Sequence, residues 1–513
     1  MAPWLSRALA ALPILASGAH ALIESVAMRG VPLMPKVPLK NSAVHSPNGD
    51  VFDLSTVYYF DQQVDHNDAS KGTFQQRYWT SNQYYQTGGP VVLMTPGEAN
   101  ADGYQGYLED GTITGVIAQQ NNGAGVIIEH RFFGLSNPID NLNDSSLALL
   151  TIDQAVNDLV YFSQNVVLPW TGGDQVKAPQ TPWILVGGSY SGALTAWTMV
   201  NKPGAFFAGW ASSAVVEAIT DFWGYFAPIQ ENMPANCSAD VQAVISYLDD
   251  AHDNNNAANL ANIKNAFNLG SLADVDFASS LMSPIYSWQD LQPSSGAGQP
   301  FFQFCDALEV KDGQSADANG WGVDNAIAAW GKYYQSQQQG PLCGNASAEE
   351  CFGTADKTQQ FFTDVDVDNA GRSWSWMVCN EVGWYQDGPP SGQPAIVSRM
   401  INTQYSEGLC TSMFPTVFTS ERDPAVDKTD STYQGWNLQV DNLFFATGKS
   451  DPWREATVSA STSPAKTSDN MPIAEGDGFH CSDLTMDSGS VDQTINAVQT
   501  QGLAAIKAWL AAK

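Results

Sequence analysis

The chain has 513 residues, of which 43% are hydrophobic and 15% charged, a balance typical of globular proteins. It carries 22 basic and 53 acidic residues, which gives a formal net charge of −31 and an isoelectric point near 4.2. A field of that sign repels nucleic acids and anionic membranes, so neither is expected as a partner. The charge suits a protein that stays soluble in acid, although many secreted microbial proteins are simply acidic.

The first residues predict a secreted, extracellular protein. Arg7 precedes the apolar stretch "ALAALPILASGA", which is too short to span a bilayer because about 20 apolar residues are needed. Small residues at Ala19 and Ala21 suit a signal peptidase, so residues 1–21 are interpreted as a signal peptide. Residues 22–40 are rich in proline and valine and are interpreted as a short pro-segment.

Seven cysteines lie in the second half of the chain. An oxidising compartment pairs most of them, and the odd number leaves one free. Cys343 and Cys351 are near enough in sequence to close a small loop, while the other pairings stay open at this point. N-glycosylation sequons, which suit a secreted protein, occur at Asn143, Asn236 and Asn345.

Short apolar, β-branched runs that end in glycine or polar residues predict strands buried on both faces. These runs occupy residues 90–100, 123–134, 182–192, 208–216 and 441–453. Helical patterns such as residues 150–167 lie between them, and the amphipathic end, 492–513, predicts a helix packed on the sheet. The alternation predicts an α/β domain with a mostly parallel sheet and helices on both faces.

The middle of the chain has a different character. From about residue 225 to 430 it shows helical patterns, Asn/Gly/Ser-rich linkers, six of the seven cysteines and no strong strand. Because strand-like sequence resumes at 441, we expect a core in two parts, 41–225 and 431–513. Residues 226–430 then form a disulfide-containing helical cap inserted between them.

The stretch "PWILVGGSYSG" (182–192) predicts a strand followed by a sharp turn that presents a nucleophile. Such a turn needs small residues two positions on either side of the serine, because strand and helix approach too closely for large side chains. Ser189 has Gly187 and Ser191 in those places, whereas no glycine flanks Ser191. Ser189 is therefore the better candidate, and an ordinary Gly/Ser turn that closes a strand is the alternative.

A nucleophilic serine needs a histidine base and an acid that orients it, and in this fold class the chain order is Ser, Asp or Glu, His. Only His252 and His480 follow Ser189, and His252 lies at a polar helix end where a solvated role is expected. His480 lies in a Gly-rich loop ahead of the C-terminal helix. Asp451 follows a late apolar strand and is the expected acid, with a plain Asp-Pro turn as the alternative.

The oxyanion of the acyl-transfer intermediate needs two backbone donors. One is expected at Tyr190, directly after the nucleophile, and the second in the loop "TPGEAN" (95–100), with Gly97 and Glu98 as candidates. The Glu98 carboxylate is a candidate contact for a substrate amine. A helix-start acid favoured by the helix dipole is the alternative for this residue.

At this point the motifs resemble a known family of serine peptidases that cleave after proline. "GGSYSG", "DPW" after an apolar strand and "H-x-x-DL" are similar to lysosomal prolyl carboxypeptidase, dipeptidyl peptidase II and, most closely, the secreted acid prolyl endoproteases of filamentous fungi. The resemblance covers nearly the whole mature chain in order. Further matching stretches are residues 60–79, 129–138, 150–159 and 379–386.

The resemblance implies an α/β-hydrolase core with a helical cap inserted after the sixth strand, and Ser189, Asp451 and His480 as the triad. It also implies a proline-sized pocket, since a flat apolar ring gains from contact with indole and phenol faces. The expected walls of this pocket are Tyr190, Trp376, Met377 and Trp453. One departure concerns Gly97: the lysosomal members have asparagine there, and its loss favours an endopeptidase over enzymes that recognise a chain terminus.

We therefore predict a secreted serine peptidase that hydrolyses peptide bonds on the carboxyl side of proline through an acyl-enzyme, as an endopeptidase at acidic pH. Proline-containing peptides or proteins are the expected substrates. The alternatives are an exopeptidase of the same family, an esterase or lipase on the same fold, and a non-catalytic binding protein. No motif for a metal, nucleotide or flavin is found in the sequence, and serine chemistry requires no cofactor.

Overall fold

The computed structural model describes residues 30–47, 49 and 51–513. The signal-peptide prediction, residues 1–21, and the first part of the predicted pro-segment lie outside the described residues. The central sheet has eight strands. In chain order they are β1 (Tyr58–Gln63), β2 (Thr73–Ser81), β3 (Val91–Met94), β4 (Ala124–Ile128), β5 (Trp183–Gly188), β6 (Ala208–Ser212), β7 (Leu443–Gly448) and β8 (Ile473–Gly476).

The spatial order of this sheet is β8-β7-β6-β5-β3-β4-β2-β1. Neighbours from β8 to β4 are parallel, and β2 pairs antiparallel with both β4 and β1. All residues of β3 to β7 are buried, which explains why these five strands read as continuous apolar runs. The predicted class, a mostly parallel α/β sheet of α/β-hydrolase type, is confirmed.

Helices of the core cover both faces of the sheet. The helix predicted over 150–167 spans Ile152–Asn165, and its first turn is capped by the Thr151 side chain, which accepts a hydrogen bond from the Gln154 N–H. The predicted C-terminal helix spans Gln493–Ala511. The other core helices and short helical turns are Ala69–Lys71, Gln105–Leu108, Ile113–Gln120, Asp144–Leu147, Tyr190–Asn201, Arg454–Ala456, Ser482–Leu484 and Met486–Val491.

The chain between β6 and β7 is mainly helical, as expected for an inserted cap; the boundaries 226–430 remain a prediction. The short strands Ile219–Asp221 and Gly383–Tyr385 pair in parallel, and two-residue strands pair at 310–311 and 314–315. The helical segments are Trp223–Tyr225, Phe226–Asn232, Ala235–Asp253, Ala257–Ala266, Asp274–Leu281, Ser283–Tyr286, Pro300–Glu309, Val323–Tyr334, Gln335–Gln339, Gly340–Cys343, Ala348–Phe352, Gln360–Thr363, Ala370–Met377, Val378–Val382, Thr403–Met413, Val426–Tyr433 and Gly435–Asn437.

Three disulfides lie within this helical part of the chain. They join Cys237 to Cys305, Cys343 to Cys351 and Cys379 to Cys410, while Cys481 is a buried free thiol. One cysteine is therefore unpaired, as the odd number of cysteines requires. Within the described part of the chain, every helix is too short or too polar to span a bilayer.

Candidate active site

The turn after β5 holds Ser189 in a strained conformation. The strand ends at Gly188 and the next helix begins at Tyr190, so Ser189 alone makes the turn, with φ 61° and ψ −127°. A non-glycine residue rarely adopts a positive φ, and such strain is typical of functional sites. A side chain at position 187 would collide with the carbonyl of Ser191, which explains the glycine there. The turn thus has the strained strand-to-helix geometry that the nucleophile prediction requires, and the role of Ser189 stays a prediction.

Three side chains that are far apart in the sequence meet at this turn. The Ser189 Oγ lies 2.7 Å from Nε2 of His480, and Nδ1 of His480 lies 2.8 Å from Oδ1 of Asp451, both within hydrogen-bonding distance. Asp451 follows the carboxyl end of β7, and its Oδ1 also accepts the Trp453 N–H at 2.9 Å. All three side chains are buried, with at most 1% of each residue exposed.

The electrostatic environment of His480 favours its charged form. Burial alone lowers the pKa of this imidazole, but the Asp451 carboxylate holds the pKa well above its ordinary value. Burial raises the pKa of the Cys481 thiol itself. The ion pair with Asp451 is therefore the physical cause that stabilises an imidazolium after His480 accepts a proton.

The two expected oxyanion donors lie next to each other. Tyr190 is the first residue of its helix, where backbone N–H groups have no partner within the helix. Gly97, with φ 77°, lies against this helix start, because a Cβ there would come within 3.1 Å of the Ser191 Cβ and 3.3 Å of Cδ1 of Tyr190. The Gly97 N–H donates to Thr95 Oγ1 over 3.3 Å, so only a long hydrogen bond occupies it.

Glu98 is a fully buried carboxyl beside this site. Within the described part of the chain, neither of its oxygens receives a hydrogen bond from another residue. Burial raises its pKa well above the ordinary value, which favours the protonated form. Glu98 does not lie at the start of a helix, because the next helical turn along the chain begins at Gln105.

An aromatic cluster lies against the nucleophile turn. The buried Tyr190 ring contacts Trp374 with centroids 5.6 Å apart, and Trp374 stacks on Trp384 at 5.8 Å. The Trp384 ring meets Trp453 edge-on at 5.8 Å, and Trp453 lies 6.5 Å from the His480 ring. These rings form one continuous apolar wall beside the candidate triad.

A cavity of about 550 Å³ opens from this wall, lined mainly by the inserted helical region together with Gly30, Val31 and Trp453. Trp374, Trp384 and Trp453 line it, together with Tyr286 and Tyr405. Such a volume is that of a typical ligand pocket. Trp453 connects the cavity to the candidate triad, because it lines the cavity on one side and lies near the His480 ring on the other, although no triad residue lines the cavity itself.

The expected placement of Trp376 and Met377 needs correction. The Trp376 indole donates to the Leu150 carbonyl at 3.2 Å and packs edge-on against Phe414, and neither Trp376 nor Met377 lines the cavity. Residues two apart on a helix point to different faces. Trp374 therefore takes the place that sequence reasoning gave to Trp376, and only the phase of this helix distinguishes them.

The structure also shows how the sequons are exposed. Asn143 and Asn345 are exposed, while Asn236 is half-buried. The Asn143 side chain caps the short helix that follows it by accepting the Ser146 N–H. Glycosylation at the three positions stays a prediction.

Comparison with known proteins identifies the family. The family model described as "Serine carboxypeptidase S28" matches residues 62–500. The chain belongs to this family. Membership assigns it to the serine peptidases, a class of hydrolases, and confirms the resemblance seen in the sequence motifs.

Several curated fungal relatives are similar over most of the chain. The serine proteases vicPa and vicPb of Bipolaris victoriae are each 32% identical, over 88% and 93% of this chain and 88% and 91% of their own lengths. A probable extracellular serine carboxypeptidase of Arthroderma benhamiae is 32% identical over 85% of this chain and 64% of its own length.

Proposed function

We propose that this S28 peptidase is secreted and hydrolyses peptide bonds on the carboxyl side of proline, as an endopeptidase at acidic pH. The observation that carries the proposal is the hydrogen-bonded chain from Ser189 through His480 to Asp451. Nucleophile, base and orienting acid are within hydrogen-bonding distance in the order that acyl transfer requires.

In the proposed mechanism, Ser189 Oγ attacks the carbonyl carbon of the scissile bond while His480 Nε2 takes the hydroxyl proton. The backbone N–H of Tyr190 and the 95–100 loop at Gly97 stabilise the oxyanion. His480 then gives the proton to the leaving amine, and the peptide bond breaks to leave an ester on Ser189. Water, deprotonated by the same histidine, releases the acid product. Asp451 holds the tautomer and stabilises the imidazolium throughout.

Proline specificity is supported by the shape and chemistry of the aromatic wall. Tyr190, Trp374 and Trp453 present buried ring surfaces beside the candidate nucleophile, and a pyrrolidine ring is flat and apolar enough to pack on them. Larger residues meet the same walls as a steric barrier. Trp374 replaces Trp376 in this proposal because it faces the cavity.

Endopeptidase action is supported by the charge of the cavity. Among the described residues that line it, none is lysine or arginine, and Glu350 is the only one with a carboxylate. Glu350 is already engaged with Ser347 in a helix cap. Recognition of a free C-terminal carboxylate usually uses a cation, which this wall does not offer. Glu98 is the group that would favour the exopeptidase alternative, since it is a buried carboxyl beside the site.

Two experiments test the proposal. A fluorophosphonate should label the wild type and Ser191→Ala but not Ser189→Ala, whose kcat should fall at least ~10³-fold. Peptides with one internal proline, blocked at both ends or at neither, then separate the modes of action. Cleavage after proline in the doubly blocked peptide supports an endopeptidase. Labelling that survives in Ser189→Ala overturns the assignment of Ser189 as nucleophile. Cleavage of the free-ended peptides but not of the doubly blocked ones overturns the endopeptidase assignment.

A further inference from the structure

Residues Gly30–Asn41, here called the N-terminal strap, are bound to the core largely through their backbone. The hydroxyls of Tyr104 and Tyr107 donate to the carbonyls of Met34 and Pro35 at 3.1 and 2.9 Å. The Glu109 carboxylate accepts the backbone N–H groups of residues 40 and 41 at 2.7 and 3.0 Å. The strap is thus held as a peptide ligand is held, by side chains that contact its main chain.

The beginning of the strap lies in the cavity of the candidate active site. Gly30 and Val31 line that cavity, and their carbonyls accept hydrogen bonds from side-chain amides of the inserted helical region. Gln386 Nε2 donates to the Gly30 carbonyl at 2.7 Å, and Gln289 Nε2 donates to the Val31 carbonyl at 2.6 Å. A side chain at position 30 would collide with Gln386, so the fit there is close.

The amide of Gln289 is oriented before any peptide arrives. Its Oε1 accepts from Nε1 of Trp453 at 2.7 Å and from the Tyr225 hydroxyl at 3.1 Å. With the oxygen so occupied, the Nε2 donor has to point toward the strap. Trp453 is two residues from Asp451 and contacts the ring of His480. A main-chain carbonyl bound by Gln289 is therefore held beside the candidate triad.

The strap then passes directly by the nucleophile turn. Met34 is 2% exposed, and its sulfur lies 3.2 Å from the Gly188 nitrogen and 3.2 Å from the Ser191 hydroxyl. Ser189 itself is fully buried in this arrangement. The strap therefore runs from the cavity to the turn that carries Ser189, where it contacts the residues on either side of this serine.

The sequence of the strap also resembles that of a substrate. Prolines at positions 32, 35 and 38 remove three backbone donors and favour an extended conformation with exposed carbonyls. A proline-containing substrate presents the same groups, namely carbonyls to accept hydrogen bonds and few N–H groups to satisfy. Donor side chains that suit one suit the other.

We propose that the N-terminal strap is an internal occupant of the substrate cleft, and that Gln289 and Gln386 bind main-chain carbonyls of peptide substrates once the strap has left. The full chain is then latent, and cleavage behind the strap followed by its departure exposes the cleft. This inference rests on the proposed peptidase function. It extends the pro-segment prediction by giving residues 30–40 a binding site.

The first experiment compares the chain before and after strap release. A recognition site for an unrelated protease is inserted at Gly49, an exposed position where an added Cβ meets no atom within 4 Å. We expect kcat/KM for a doubly blocked proline peptide to rise at least 10-fold when the strap is cut and removed. A synthetic peptide of residues 30–41 should then inhibit competitively. Equal kcat/KM values before and after strap removal, or a lower kcat/KM after removal, overturn the proposal.

The second experiment tests the two amides. Gln289→Glu keeps an acceptor for Trp453 and Tyr225 but removes the donor, and Gln386→Ala removes the other donor. At pH 7 each should raise KM about 5- to 10-fold with kcat within about 2-fold, and weaken inhibition by the strap peptide equally. Gln393→Ala, at an exposed position outside the cavity lining, is the matched control. An unchanged KM in both variants contradicts the assignment.

A third measurement separates this inference from the proposed function. Calorimetry with the cut Ser189→Ala protein detects binding of the 30–41 peptide without any turnover. Binding that Gln289→Glu weakens supports the cleft assignment even where the wild type fails to hydrolyse peptides. Hydrolysis by the cut wild type without peptide binding overturns the inference and leaves the peptidase proposal intact.

Discussion

The Asp387 carboxyl should make the folded protein less stable as the pH rises. Asp387 is 2% exposed, and its Oδ2 accepts a hydrogen bond from the Thr403 hydroxyl at 2.8 Å. Burial raises its pKa from 3.8 to about 7; the Thr403 hydrogen bond opposes that shift, and the nearby Asp221 and Glu407 add to it. The folded protein therefore keeps this carboxyl protonated at a pH where the unfolded chain has already ionised it.

The sign follows from this raised pKa. The stability contribution is fully present below about pH 4, declines as the unfolded chain ionises, and is lost once the pH passes through the folded value near 7. A shift of about three units corresponds to about 4 kcal/mol as an upper limit, at roughly 1.4 kcal/mol per unit. Asp387→Asn removes the ionisation and keeps an acceptor for Thr403.

Urea unfolding at pH 4 and pH 8 measures the effect. Relative to wild type, Asp387→Asn should gain up to about 4 kcal/mol more at pH 8 than at pH 4. Asp356→Asn is the control, because Thr358 hydrogen bonds lower the pKa of that exposed carboxyl. Parallel pH dependences for wild type and Asp387→Asn would refute the reasoning. Burial likewise raises the pKa to about 7 at Glu309, Glu381 and Asp430.

Four further variants test the candidate site and the fold around it. Trp374→Ala should raise KM for a proline peptide about 10-fold, whereas Trp376→Ala should cost about 3–5 kcal/mol of stability, by urea unfolding, with KM unchanged. Gly97→Ala should lower kcat at least ~10-fold in steady-state assays, because its Cβ would press on the helix start that holds an oxyanion donor. Replacing Cys237 and Cys305 by serine should lower unfolding free energy by about 4 kcal/mol, since their bond closes a 68-residue loop.

The strands that could be predicted are those buried on both faces. Residues 182–188 and 443–448 contain few polar residues because no strand face meets water. The edge strands β1 and β8, and β2 next to β1, could not be predicted in this way, since they carry glutamine, aspartate or glutamate and are partly exposed. A polar, alternating segment is recognised as a strand only when its partner strand is known.

The three triad candidates could be located from the sequence because chemistry fixes their types and the fold fixes their order. The aromatic wall could not be located in the same way. Trp374 and Trp376 differ only in helical phase, and the face that meets the cavity is set by distant packing. The contacts of Gln289 and Gln386 could not be predicted from the sequence, because they reach residues 258 and 356 positions away.

Stability and catalysis place opposite demands on the working pH. The buried carboxyls favour an acidic medium, but His480 has to be neutral to accept the serine proton, and Asp451 helps to hold its pKa above the ordinary value despite burial. An acidic maximum therefore requires that bound substrate lowers this pKa, because a peptide over the site excludes water and disfavours the imidazolium. The acid limb of kcat should then lie at lower pH than that of kcat/KM, which reports the free enzyme. If the acid limbs of kcat and kcat/KM coincide, the prediction of an acidic pH optimum is contradicted.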